Sequence, residues 1–210
     1  MNAVTGKKEG LGVRIYLSEK LSPQEEGIPP EKIVAVYEGE WEAEMRKGKG
    51  LEVYPNKDIY SGLFHWNQRH GKGKLLKHAT GDTYTGEWFQ GMRHGFGAWK
   101  KDSSEFHYSG MWSNNKPYGY GILRSHLGDV YEGIFRNGYK HGTGVEVYKD
   151  GGSYIGNFRD GQPEGFGKLI CYVGSIYEGN FAKGEKHGRG NWTIPIVEEK
   201  KAHGRTIKLL

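Results

Sequence analysis

With 210 residues and a net charge of +5, the chain has the length of one or two ordinary domains and too little charge to name a partner by itself. Its 35 glycines, 14 tyrosines, 8 phenylalanines and 6 tryptophans against only 7 prolines exclude a disordered chain. The absence of an apolar run of about 18 residues excludes a transmembrane helix. Met1–Lys8 does not read as a signal peptide. The single cysteine, Cys171, has no intramolecular disulfide partner and fits a reducing, cytoplasmic compartment.

In chain order, residues 1–16 read as a partial N-terminal repeat. Gly6, Gly10 and Gly12 align with Gly91, Gly95 and Gly97, and the first strand of that copy would need residues before Met1. Residues 17–36 form an acidic, proline-containing insert and lead-in, with Pro23, Pro29, Pro30, Glu19, Glu25, Glu26 and Glu31. An insert of this length is expected to be a surface loop. From Tyr37 a period sets in: Tyr37, Tyr60, Tyr84, Tyr108, Tyr131, Tyr154 and Tyr177 follow at steps of 23 or 24 residues. A fixed period in this range marks a repeat architecture. Residues 37–195 hold seven copies, and residues 196–210 read as a cap or tail, helical or strand-like.

The copy from Tyr84 to Trp99 shows the physics. Tyr84, Gly86 and Trp88 are two apart and share one face of a strand, as do Gly95, Gly97 and Trp99 on the next. The six residues Phe89 to His94 between them read as a glycine-bearing hairpin connection. The turn position holds Gly6, Glu44, Asn67, Gly91, Asn115, Gly138, Gly161 and Gly184. Gly and Asn tolerate positive φ, so Glu44 is predicted to distort its turn. The two glycines of each second strand are expected to leave room for aromatic rings. The opposite face reads as mainly polar and wet. The predicted fold is all-β: an elongated single-layer antiparallel sheet of consecutive β-hairpins, about 70–80 Å long at roughly 4.8 Å per strand.

The Y-x-G-x-[WF] strands, Tyr37–Trp41, Tyr60–Phe64, Tyr84–Trp88, Tyr108–Trp112, Tyr131–Phe135, Tyr154–Phe158 and Tyr177–Phe181, are each followed by G-x-G. This pattern resembles the MORN (membrane occupation and recognition nexus) repeat family. The resemblance implies a ribbon of hairpins with a groove along one face. It also implies a scaffold of cilia, flagella or cytoskeleton, a membrane-junction component, or a module fused to an enzyme.

No catalytic, cofactor or metal constellation is legible. The G-x-G steps do not extend to G-x-G-x-x-G and are followed by strands, which removes the dinucleotide reading. His70, His94, His141 and His187 each precede a G-x-G, but copies about 10 Å apart cannot share an ion. Lys47, Arg69, Arg93, Lys116, Lys140 and Lys186 are expected on one basic edge. Asp58, Asp82, Glu105, Asp129 and Asp150 are expected on the opposite one. The expected partner-binding groove is the aromatic row Tyr60, Phe64, Tyr84, Trp88, Tyr108, Trp112, Tyr131, Phe135, Tyr154 and Phe158, partly exposed and open to a helix or extended segment. The reading is therefore a non-enzymatic scaffold in a ciliary or flagellar axoneme or other cytoskeletal assembly, with protein partners and possible end-to-end self-association. A phospholipid-binding or membrane-apposition module and a regulatory fragment of an enzyme are the alternatives. Nucleic acid is not expected, because the aromatic positions sit among acidic as well as basic neighbours.

Overall fold

The structure, a computed structural model, describes residues 9–17, 33–102, 104–195, 200–202 and 205–207. The insert glutamates Glu19, Glu25, Glu26 and Glu31, and Gly6, lie outside the described residues. The strands fall into two compact units, residues 1–126 and 127–210. The first contains β1 (Gly10–Leu17) and the hairpins β2 (Ile33–Glu42)–β3 (Met45–Val53), β4 (Ile59–His65)–β5 (Gln68–Leu76), β6 (Thr83–Phe89)–β7 (Met92–Lys100) and β8 (His107–Ser113)–β9 (Lys116–Arg124). The second contains β10 (Val130–Arg136)–β11 (Tyr139–Val147), β12 (Ser153–Arg159)–β13 (Gln162–Ile170) and β14 (Ile176–Ala182)–β15 (Glu185–Thr193). It also holds a short pair, β16 (Lys200–Ala202) and β17 (Arg205–Ile207), which makes the tail strand-like. Within each unit the strands of the main sheet pair antiparallel in sequence order, and no helix occurs among the described residues. The all-β, single-layer hairpin architecture expected from the repeat is present.

Each hairpin closes on two residues with positive φ, the signature of the type I′ turn whose twist matches the flanking strands. Asn114 and Asn115 hold φ of 49° and 66°, and Gln90 and Gly91 hold 48° and 79°. Ala43 and Glu44 adopt 48° and 67°. The predicted distortion at Glu44 is thus absent: the strand register imposes the turn, and the glutamate takes the left-handed conformation. That conformation costs an L-residue about 1 kcal/mol. Glu44→Gly should therefore raise stability by about that amount, readable as a higher urea midpoint. An unchanged or lower midpoint would show that the turn carries no strain.

The second strand of each hairpin is bulged. Between the pairs Gly133↔Gly144 and Phe135↔Lys140 the first strand has one residue and the second three. The first glycine of each G-x-G sits in this bulge with positive φ, 58° at Gly95 and 67° at Gly119. Only Gly supplies such a φ freely. This corrects the expectation that both glycines of the second strand make room for rings. The first shapes the backbone; the second makes the room.

That room is filled by the tyrosine of the same hairpin. Gly86 faces Gly97 across the ladder, as Gly62 faces Gly73 and Gly156 faces Gly167. The Tyr84 ring lies along its strand over this glycine pair, and a Cβ on Gly97 would come within 2.6 Å of its Cζ. Its hydroxyl donates to the Glu87 carbonyl at 2.9 Å. Tyr60, Tyr108, Tyr131 and Tyr154 repeat the bond to Leu63, Met111, Ile134 and Asn157 at 2.8–3.0 Å. Within each unit the Trp or Phe two positions on from the first-strand glycine packs edge-on to its own tyrosine and, after the first hairpin of the unit, to that of the preceding hairpin. Trp88 meets Tyr84 at 5.0 Å and Tyr60 at 5.4 Å between centroids. Each unit thereby builds a continuous aromatic layer on one face of its sheet.

Candidate partner-binding face

The tyrosines and their Trp or Phe partners, which include all ten residues expected to line the groove, are only 0–5% exposed. The expectation of a partly exposed aromatic groove is corrected. The rings lie flat on bare glycine backbone and are then covered from above. The Arg69 guanidinium sits 4.2 Å from the Trp88 ring centroid, and Arg93 sits 4.4 Å from Trp112. Lys140 lies over Tyr131 and Phe158, and Lys186 lies 4.2 Å from Trp192. A cation over a desolvated ring is held by the ring quadrupole.

The arginines also clip successive hairpins together. Arg69 donates to the carbonyl of the turn residue Gly91 at 2.8 Å, and Arg93 to that of Asn115 at 2.9 Å. Arg46, missed in the sequence, makes the same bond to Asn67 at 2.7 Å and lies over Phe64. Its position five residues after Trp41 was the available signal. The basic residues expected on an edge therefore divide. Arg69, Arg93, Lys140 and Lys186 roof the aromatic layer. Lys47 pairs with Glu42, and Lys116 is exposed at the start of β9, one residue before Pro117, which takes the roofing position. Burial pulls the Arg93 guanidinium below its usual pKa.

The acidic edge is partly internal too. Asp58, 5% exposed, accepts from Lys77 Nζ at 2.6 Å, the His78 amide at 3.0 Å and Asn56 Nδ2 at 3.0 Å. Burial alone would raise its pKa; these donors outweigh that and hold it below the usual carboxylate value. Asp129 and Asp150 accept the Lys149 and Gly152 amides at 3.0 and 2.9 Å. These carboxylates brace connections between strands. The histidines pack locally: His70 lies 5.3 Å and His94 5.6 Å from the Phe89 ring.

The buried tyrosines carry a pH signature. Desolvation pushes the Tyr37 and Tyr131 hydroxyls up to about 12, and raises those of Tyr60, Tyr84, Tyr108 and Tyr154 as well. A tyrosine in the unfolded chain ionises near 10. Above that value the unfolded state loses protons that the folded state retains, so linkage draws the equilibrium toward unfolding. Stability from these groups is full below pH 10 and falls as pH rises toward 12. A cooperative alkaline unfolding transition in that window, followed by tyrosinate absorbance and circular dichroism together, is the expected result. Ionisation of all 14 tyrosines near pH 10 without loss of structure would contradict it.

The surface open to solvent is the opposite face. Expected to be mainly polar, it carries apolar side chains in register. Across β1–β4, Val13 pairs with Glu38, Glu38 with Leu51 and Leu51 with Ser61. In the adjacent row Leu11 pairs with Glu40 and Lys49 with Leu63. Leu11, Val13, Leu51 and Leu63 are exposed. They line a groove of about 820 Å³, floored by backbone at Gly12, Gly39, Gly50 and Gly62 and flanked by Glu38, Lys49 and Lys72. Farther along the first unit Phe96 pairs with Met111, both exposed. In the second unit Val145 pairs with Ile155 on the same face, and Phe166 is also exposed. The signal in the sequence was the residue between the two glycines of G-x-G, the residue two beyond it, and the two residues flanking the glycine of Y-x-G-x-[WF]. It was obscured because Lys and Arg occupy several of those positions.

Tyrosine-over-glycine hairpins, bulged at G-x-G and clipped turn to turn, define a β-hairpin repeat protein. The MORN repeat profile matches residues 37–59, 60–77, 84–101, 108–126, 131–153, 154–176 and 177–195, and the chain belongs to the MORN repeat family. No curated protein sequence matches. Among solved structures the chain is similar to the TCP domain of SAS-4 (dCPAP) of Drosophila melanogaster, solved in complex with a proline-rich motif of Ana2 (dSTIL). The identity there is 14%, over 63% of this chain and 73% of that chain, with a TM-score of 0.41. It is also similar to the TCP10 domain of Danio rerio CPAP, solved in complex with a peptide of Danio rerio STIL. That match has 10% identity over 87% of this chain and 97% of that chain, with a TM-score of 0.30.

Proposed function

We propose that this chain is a non-enzymatic scaffold that binds protein partners on its open sheet face. The observation that carries this reading is the pairing of a sealed face with an open one. The aromatic layer is closed by its own cations, whereas Leu11, Val13, Leu51 and Leu63 stay exposed over the groove. Contiguous exposed apolar surface rimmed by polar residues marks an interaction site. The groove suits a helix or extended segment with an apolar stripe and charges of both signs, which Glu38, Lys49 and Lys72 would meet. The aromatic row Tyr60 to Phe158 has a supporting role: it stiffens the sheet whose reverse side makes contact. Family membership supports a cytoplasmic setting in a ciliary or flagellar axoneme or other cytoskeletal assembly.

A photo-crosslinking residue at Leu63, with a control at Trp99 on the face of Gly97, tests this in ciliated cells. A discrete protein adduct at Leu63 and none at Trp99 is expected. Adducts only at Trp99, or flotation with anionic vesicles without a protein adduct at Leu63, would overturn the reading. The second result would favour a phospholipid-binding module.

A further inference from the structure

The cations over the aromatic layer fall into two kinds. Arg46 and Lys140 each pair with a carboxylate six residues on in the same strand, Glu52 and Glu146. Each carboxylate is 8% exposed. Glu52 faces Tyr60 across the ladder, and Glu146 faces Tyr154. A charge held away from water calls for such a partner.

Arg69 and Arg93 are of the other kind. In place of Glu52 the next hairpin has Leu75, also 8% exposed and facing Tyr84, and the one after has Trp99, facing Tyr108. Each guanidinium gives one N–H group to a turn carbonyl, and among the described residues neither meets a carboxylate. The two feel each other. Burial pulls Arg93 below its usual pKa, the Tyr84 hydroxyl opposes that, and the Arg69 charge adds to it. Both arginines line a cavity of about 280 Å³ with apolar walls at Leu75, Trp88 and Trp99. Lys77 and Asp82 line it too. Asp58 holds Lys77 at 2.6 Å, which leaves two guanidinium groups facing one carboxylate, Asp82.

We propose that this cavity binds a small organic anion whose carboxylate takes, against Arg69 and Arg93, the place that Glu52 holds against Arg46. The chain itself displays the chemistry twice, at Glu52 and at Glu146. A guanidinium presents a planar fork of donors that matches a carboxylate, and both forks keep N–H groups free of the turn carbonyls. The excess of one positive charge suits one carboxylate. Leu75, Trp88 and Trp99 suit a short apolar body behind it. The volume lies at the lower end of the range for small-molecule pockets, which fits a ligand of a few carbons and not a protein segment. The site is independent of the partner groove, which occupies the opposite face.

The probes are butyrate, its neutral amide butyramide, and inorganic phosphate, each titrated into the isotopically labelled full chain at constant ionic strength. Butyrate should shift the side-chain N–H signals of Arg69, Arg93 and Trp99 saturably, with a dissociation constant of about 1 mM or tighter. Arg46, already paired with Glu52, should stay silent. Butyramide should give no response, and phosphate a weaker one. Leu75→Glu places a carboxylate six residues after Arg69, as Glu52 stands after Arg46. It should weaken butyrate at least about tenfold in a protein that melts no lower than wild type. No saturable shift with butyrate overturns the proposal. So does equal binding of butyramide, tighter binding of phosphate, an equal response at Arg46, or undiminished butyrate binding by folded Leu75→Glu. The comparison of probes on the wild-type chain decides even where that variant does not fold. None of these results bears on the open face, which is read by crosslinking at Leu63.

Discussion

Gly86→Ala is expected to cost about 3 kcal/mol or more, the upper range for overpacking. The added methyl would stand 2.7 Å from the Tyr84 hydroxyl oxygen and 2.7 Å from the Phe96 carbonyl oxygen, and would meet the Gly97 backbone. Backbone cannot yield as the end of a flexible side chain can. Displacing the Tyr84 ring would also break its hydrogen bond to Glu87 and its contact with Trp112, 5.2 Å away. In a repeat array each unit is held by its neighbours, so the loss spreads to the adjoining hairpins. Thermal unfolding should fall by roughly 6–12 °C. Gly91→Ala is the control: its φ is 79° but nothing lies within 4 Å of a Cβ there. It should cost about 1 kcal/mol for the left-handed backbone alone. Equal effects of the two changes would show that the glycine pair is not a ring seat.

Trp88→Ala should cost about 3–5 kcal/mol, the usual range for a buried Trp. Trp88 is 3% exposed, packs on Tyr60 and Tyr84, carries Arg69 above its ring and donates to Gly73 at 3.2 Å. Read from the sequence alone, Trp88 and Trp112 line a groove, and their loss weakens binding before the fold. The packing reverses that order, because the sheet loses its support first. Differential scanning calorimetry decides. A Trp88→Ala protein that melts with the wild type would return the aromatic row to the surface.

The repeat was legible because its signals are local. A two-residue spacing places Tyr84, Gly86 and Trp88 on one face whatever surrounds them. A fixed period then repeats that placement. What was not legible depends on a third dimension. Whether a ring on glycine backbone stays open or is covered is decided by Arg69 and Arg93, which reach forward to the Trp of the following strand. Sequence spacing places those residues near a turn but does not show where their side chains go. Lys47 and Lys116, edge cations by sequence spacing, each stand one residue from the roofing position held by Arg46 and Pro117. The bulge made the same kind of difference. It gives Gly95 a positive φ and leaves Gly97, with its cross-strand partner Gly86, under the ring, which a regular two-residue alternation does not show. The exposed apolar groove was not legible because Lys49, Lys72 and Phe96 occupy equivalent positions, so polarity read copy by copy averaged out what the register brings together around Leu51 and Leu63.

The central claim is that the open face, and not the aromatic layer, meets the partner. Leu51 and Leu63 are 40% and 37% exposed, so aspartate at both positions is solvated and leaves the aromatic layer intact. The direct measurement is partner capture by Leu51→Asp/Leu63→Asp beside its thermal unfolding curve, using the protein that crosslinks at Leu63 in the wild type. The predicted result is a melting temperature within a few degrees of wild type, as for surface substitutions, with capture lost. Capture at wild-type strength by the folded double variant would contradict the account.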